Sequence, residues 1–290
     1  METAFGQHEL STSLGPIPVR VSGSGGPAIL AVHGMLADGR IWDQVAAHLA
    51  TARGSQIRVV LPDLPMGAHR HAVPDRQALT PPAVAATLAE ILDALQISEA
   101  VLAGNDTGGA VAQIAVAGNP DRFPGLVLTS CDALDHFPPP ALRPLQRMIA
   151  LPGVTCAVVW MFSRPQLLAR PGPLNLVARH PIDPALVADW MRNARQREIR
   201  RDFAAFFAAC DKLATLAAAQ HLRSYPGRAV IAWSRGDRLF PARDADRLAE
   251  IIPHARQHPI DDALTFSPLD QPQAVADAIL LAMDSMTARE

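Results

Sequence analysis

The chain has 290 residues, 49% of them hydrophobic and 19% charged, and carries a formal net charge of −2. That length buries a sizeable core and suits one α/β domain with an insertion or two small domains, and the near-neutral balance removes any global electrostatic case for nucleic acid or an anionic membrane. Cys131, Cys156 and Cys210 are widely spaced with no Cys-x-x-Cys pair, which disfavours a disulfide framework or a metal site such as zinc and favours a reducing compartment.

Met1 to Leu10 includes acidic Glu2 and lacks the apolar stretch of a signal peptide. No apolar run reaches the ~20 residues of a membrane helix, so a soluble, cytoplasmic protein is the expectation. Arginine supplies nearly all the positive charge, since Lys212 is the one lysine.

Strand-like runs bounded by turn residues then recur. Ile17 to Val21 comes first, followed by Ser22-Gly23-Ser24-Gly25-Gly26-Pro27, which reads as a hairpin-like turn. Ala28 to Val32 is apolar on both faces, as a buried parallel strand is. A helix is predicted from Trp42 to Ala50, a strand from Ile57 to Leu61, and a helix from Thr80-Pro81-Pro82 to about Leu95, with proline tolerated in its first turn. Ala100 to Ala103 and Leu126 to Leu128 are further strands. Strands alternating with helices imply a mostly parallel sheet covered on both sides.

That rhythm stops after Ser130. From about Phe137 to Arg223 the chain is punctuated by prolines and otherwise helical in composition. Residues 134–223 are therefore read as an inserted helical cap, with 1–133 and 224–290 forming the α/β core. The pattern resumes with a strand at Ala229 to Trp233, a helix from about Arg243 to Ile252, a short strand near His258 to Ile260, and a last helix from about Gln273 to Met286.

One turn organises the rest. Between the Ala100 strand and the helical run Ala110 to Ala117 lies Gly104-Asn105-Asp106-Thr107-Gly108-Gly109. The glycines permit an abrupt strand-to-helix turn with close backbone contact, and they leave Asp106 presented at its tip. The helix N-terminus behind it favours an ionised carboxylate. A plain helix cap is the bland alternative for Asp106, but a cap does not require the glycines around it.

Three motifs in order make the chain resemble the α/β-hydrolase superfamily over essentially its whole length. They are His33-Gly34-Met35 after the Ala28 strand, the aspartate elbow, and Trp233-Ser234-Arg235-Gly236-Asp237-Arg238-Leu239-Phe240-Pro241 after the Ala229 strand. Aspartate at the elbow is similar to the branch holding haloalkane dehalogenases and epoxide hydrolases. The resemblance implies an α/β-hydrolase fold and Asp106 as nucleophile or general base. It also implies an oxyanion hole from the backbone N–H groups of Met35 and Thr107, and Asp237 at the place of the family's acid.

The departure lies near the C-terminus. The family writes Asp-x-Gly-His-Phe there, whereas this chain has Asp262-Ala263-Leu264-Thr265-Phe266, with Thr265 at the histidine position. A threonine hydroxyl donates a hydrogen bond but cannot hold a proton between steps at neutral pH. Among the ten histidines, His33, His69, His71 and His136 fall at strand ends where a substitute base would sit, although structural hydrogen bonding is the simpler role for each. Asp132 and Asp135 occupy a region where some family members place an alternative acid.

Two further absences bear on chemistry. The one tyrosine, Tyr225, lies outside the cap, where epoxide hydrolases use tyrosines, and Thr107 stands where dehalogenases usually place tryptophan. His33, Asn105, His136, Trp160 and Phe162 are candidate lining for an apolar pocket, with simple cap–core packing the alternative for the aromatics. The run Arg192, Arg195, Arg197, Arg200 and Arg201 reads as a solvated helix face. The expectation is an enzyme that needs no cofactor or metal and acts on a small, largely apolar organic substrate. The missing histidine makes lyase, elimination or cyclisation chemistry a rival, and a catalytically silent ligand-binding protein is the rival from another class. A homodimer stays open.

Overall fold

The aliphatic runs pair into one eight-stranded sheet in the computed structural model, which describes residues 4–164 and 176–287. The strands are β1 Gly6–Thr12, β2 Gly15–Ser22, β3 Ala28–Val32, β4 Arg58–Pro62, β5 Ala100–Asp106, β6 Gly125–Cys131, β7 Arg228–Ala232 and β8 Arg256–Gln257. Their spatial order is β1-β2-β4-β3-β5-β6-β7-β8. The β1–β2 and β2–β4 pairings are antiparallel, and every pairing from β4 to β8 is parallel. This is the α/β-hydrolase fold.

Side-chain alternation explains how the sheet is covered. Leu30, Val60, Leu102, Leu128 and Ile231 join one hydrophobic core, while Ile29, Val59, Val101, Val127 and Val230 join the other. The first core is closed by α2 Pro81–Ala94 and α3 Thr107–Gly118, through Leu88 and Val111 among others. The second is closed by α1 Asp43–Arg53 and the C-terminal helix Pro272–Thr287, through Val45 and Ile279. Both faces of the central strands are therefore dry, which is why β3 and β6 are buried along their whole length.

Between β6 and β7 run α4 Arg143–Met148, α5 Val154–Phe162, α6 Pro184–Ala194, α7 Arg197–Ala209 and α8 Lys212–Leu222. After β7 come α9 Ala242–Ile251, the short α10 Ser267–Asp270 and α11 Pro272–Thr287. Among the described residues no helix is long and apolar enough to cross a membrane.

The turn at Ser22–Pro27 differs from the hairpin expected there. It leads from β2 to β3, but β4 lies between those two strands. A Cβ on Gly23 or Gly26 would stand 1.9 or 1.8 Å from the carbonyl oxygens of Ile57 and Gln56, so the turn packs on the entry to β4. The hairpin in this sheet is β1–β2, with Thr12 opposite Gly15. The strand expected near His258 lies slightly earlier, and Ile260 adds a single bridge to Ser234.

Candidate active site

Asp106 ends β5 and precedes α3 with φ 54° and ψ −131°, a strained conformation for a residue with a Cβ. Two glycines make the surrounding approach feasible. A Cβ on Gly108 would lie 2.4 Å from the carbonyl oxygens of Val32 and His33, and one on Gly34 would lie 2.0 Å from Asp106 Oδ2. The loop after β3 thus rests directly on the Asp106 carboxylate.

Asp106 makes no side-chain capping bond to α3. The backbone N–H groups of Thr107, the first residue of α3, and of Met35 lie close enough to its carboxylate to favour the ionised form. Burial pushes its pKa up to about 7, those two amides pull it down, and the Asp237 charge raises it. The residue keeps a partly accessible face while protein crowds its other sides. Such a group changes protonation state near neutral pH.

Thr265 and Asp237 meet beside the elbow. Asp237 Oδ1 accepts from the amides of Leu239 and Phe240, both at 2.8 Å, and from Thr265 Oγ1 at 3.3 Å. Its Oδ2 is buried, and among the described residues no hydrogen bond of normal geometry reaches it. Burial raises the Asp237 pKa, against those amides, Thr265 and the nearby Ser130 hydroxyl. The Thr265 carbonyl accepts from Asn105 Nδ2 at 2.6 Å, and the same amide donates to Thr129 Oγ1 at 2.9 Å. Asn105 is therefore a fully buried tether between β5, β6 and the Thr265 segment rather than part of a pocket wall.

Asp132, just past β6, is closer to the elbow than its sequence position alone could show. Its Oδ2 accepts from Thr107 Oγ1 at 3.0 Å, and its Oδ1 is buried without a partner among the described residues. Burial, and then the charge of Asp106, push its pKa well above the usual carboxylate range. Asp135 faces away and pairs with Arg247. The available signal was two aspartates after one strand, and only the fold separates them.

The structure gives the histidines other work. His33 Nδ1 donates to the Gly34 carbonyl at 2.7 Å and Nε2 accepts from the Leu64 amide at 2.9 Å, so both ring nitrogens are committed. Burial also lowers its pKa to about 4. His33 braces the loop behind the site and does not line it. His69 accepts from the Gly67 amide and bonds buried Asp202 at 3.2 Å, and His71 pairs with Glu9 at 2.8 Å. His136 lies against Asp244 of α9 at 2.5 Å. Among the described residues, no imidazole hydrogen-bonds to Asp106.

The aromatic candidates separate as well. Phe162 is partly buried and touches both hydrophobic cores, whereas Trp160 is 55% exposed with Arg164 stacked on its outer face. The structure does not bring Trp160 to Asp106. Tyr225 is buried and donates to the Phe123 carbonyl. In the arginine run, Arg192 pairs with Asp189 and Arg201 with Glu198. Among the described residues, no three His, Cys, Asp or Glu side chains gather as metal ligands.

Residues 27–272 match the family model described as alpha/beta hydrolase fold. The chain is 37% identical over 107 residues to the lipase LipV of Mycobacterium tuberculosis, covering 37% of this chain and 38% of that one. It is 34% identical over 119 residues to an epoxide hydrolase of Caballeronia sordidicola, covering 41% and 35% respectively. Each match thus spans well under half of the relative's own length. Among solved structures, a haloalkane dehalogenase loop variant from Bradyrhizobium elkanii superposes with TM-score 0.79 at 18% identity, over 97% of this chain and 99% of that one. The 2-hydroxy-6-oxo-6-phenylhexa-2,4-dienoate hydrolase of Rhodococcus sp. strain RHA1 gives TM-score 0.74 at 19% identity, covering 97% and 99%. At these identities the structural likeness is one of fold.

Proposed function

The chain belongs to the alpha/beta hydrolase fold family, and from that premise we propose a cofactor-independent hydrolase that attacks a small, largely apolar organic substrate with Asp106. One observation carries this reading: a strained aspartate at the strand-to-helix turn, with the Met35 and Thr107 amides turned onto its own carboxylate. The oxyanion donors are then engaged by the nucleophile's oxygen. They serve an ester formed on Asp106 rather than a substrate's carbonyl, which favours an alkyl electrophile such as a haloalkane or epoxide over a carboxylic ester.

In this mechanism the other Asp106 oxygen attacks the electrophilic carbon and an Asp106 ester forms as the carbon–halogen bond breaks and halide departs, or as an epoxide C–O bond opens and its oxygen takes a proton from water. When water attacks that ester, charge develops on the oxygen already facing Met35 and Thr107. Residues 134–223 act as the cap over the substrate, with Phe162 and Met35 as apolar neighbours, and the protein works in the cytoplasm. A second reading makes Asp106 a proton carrier in a non-hydrolytic elimination or lyase reaction. Its support is the pKa near 7 together with Thr265 in place of a histidine.

The test is a panel of small haloalkanes, epoxides and aryl esters, with intact-protein mass as a parallel readout. Turnover or a covalent adduct on Asp106 is expected, and Asp106→Asn should lower turnover by on the order of 10⁴-fold or more. Turnover that survives Asp106→Asn overturns both enzyme readings of Asp106. Saturable binding of panel compounds without turnover or adduct, unchanged by the substitution, would mark a silent binding protein instead.

A further inference from the structure

We propose that Asp237 itself, through Oδ2, is the general base that hydrolyses the ester on Asp106, taking over the work of the missing imidazole. The inference rests on the reading of Asp106 as nucleophile.

The two oxygens of Asp237 are unequally employed. Oδ1 takes three donors, from Leu239, Phe240 and Thr265, while Oδ2 is buried and, among the described residues, takes no hydrogen bond of normal geometry, with the Ser130 hydroxyl near the carboxylate. A buried carboxylate oxygen without a donor is costly, so an orphan of this kind calls for an explanation. Thr265 connects this carboxylate to the elbow. Its hydroxyl holds Asp237, and its carbonyl is held by Asn105, the residue before Asp106. Asp237 also sits near enough for its charge to raise the Asp106 pKa. These contacts motivate a carboxylate–water–ester line where the family uses a carboxylate–imidazole–water line.

Other groups fit the role less well. His33 has both nitrogens committed, and His69 and His136 are bonded to Asp202 and Asp244. Asp132 has an orphan oxygen too, but its other oxygen is bonded to Thr107 Oγ1, and among the described residues no hydrogen bond joins it to the Thr265 segment. Burial raises the Asp237 pKa, which strengthens it as a base while the amides of Leu239 and Phe240 support its ionised form.

The step balances as follows. Water oxygen bonds to the carbonyl carbon of the Asp106 ester while one water proton passes to Asp237 Oδ2, leaving a tetrahedral oxyanion opposite Met35 and Thr107. The bond from that carbon to the alkoxy oxygen breaks, and the departing alkoxide takes the proton from Asp237 to become the alcohol. Asp106 is left as the acid and releases one proton to solvent.

Single-turnover reactions in H₂¹⁸O, with 1-bromohexane and styrene oxide as probes and peptide mass spectrometry as readout, test this. Wild-type protein should place ¹⁸O in the Asp106 carboxylate. Asp237→Asn retains an oxygen for the Leu239 and Phe240 amides, and it should still form the ester but lose it ~10²–10⁴-fold more slowly. If that variant does not fold, Thr265→Val, which strips only the hydroxyl holding Asp237, should accumulate the ester several-fold over wild type. Label uptake at the wild-type rate in Asp237→Asn, or in Thr265→Val when it stands alone, overturns the proposal and leaves Asp106 as nucleophile. So does a wild-type ester that never hydrolyses. Absence of both ester and label in wild-type protein overturns the nucleophile reading and this inference with it.

Discussion

Asp106 holds its proton to a higher pH in the folded chain than an aspartate in an unfolded one, and this has a consequence for stability as well as for rate. With a folded pKa of about 7 against 3.8, the native state binds more protons than the unfolded state between those values. Stability from this group is complete below about pH 4 and is lost as pH rises through 7. Asp106→Asn removes the titration, so its melting temperature should exceed that of wild type by an amount that grows from pH 4 to pH 7 and then levels off. Thermal melts across that range check this, and a difference independent of pH would refute it. In the proposed mechanism turnover needs Asp106 ionised, so kcat/KM should rise with an apparent pKa near 7. That Asp106, Met35, Thr107, Asp237 and Thr265 meet around one turn was legible in the sequence because each follows a strand or a fixed spacing. The separate fates of Asp132 and Asp135 were not, since three residues decide whether a side chain turns under α3 or out to Arg247.

At the level of elements, the helices after β6 are fastened by a contact that no local pattern announces. Asp202 on α7 is fully inaccessible and accepts from the Val73 amide at 2.9 Å, from Arg76 Nε at 2.7 Å and from His69. In the sequence it sits inside an arginine-rich run and reads as one more surface charge, because its partners lie more than a hundred residues away. Asp202→Ala strands those donors and should cost about 3 kcal/mol, the low end for a broken buried pair because Arg76 remains partly open to water. Urea denaturation at pH 7 measures it, and a loss under ~1 kcal/mol would show the contact to be incidental. Elements with strong apolar runs were readable. The edge strand β1 was not, because Gly6–Thr12 is mostly exposed and carries no apolar alternation. The Ser22–Pro27 turn misled for a related reason. Glycines signal a tight turn, but they do not say which strand lies beyond it.

Across the whole molecule, the charge and the packing of the inserted helices point in different directions. Residues 134–223 hold twelve of the 26 Lys and Arg but only six of the 28 Asp and Glu, so this segment is basic and the remainder acidic. A composition shift of that size suggests a separate unit. The buried surfaces say otherwise. Phe137, Ile149, Phe203, Phe206 and Phe207 join the core on one side of the sheet, and Val187, Trp190, Met191 and Ala194 join the core on the other. Burying a phenylalanine or leucine is worth ~1.5–3 kcal/mol, so removing these helices would expose far more than the stability of a typical domain. The insertion should therefore unfold with the sheet in one step. Near-ultraviolet circular dichroism, which reports Trp160 and Trp190 of the insertion beside Trp42 and Trp233 of the core, should give the same denaturation midpoint as the far-ultraviolet signal of the backbone. Separated midpoints would mean that the insertion comes away first. The charge asymmetry would then outweigh the shared core, and substrate entry could proceed by detachment of these helices.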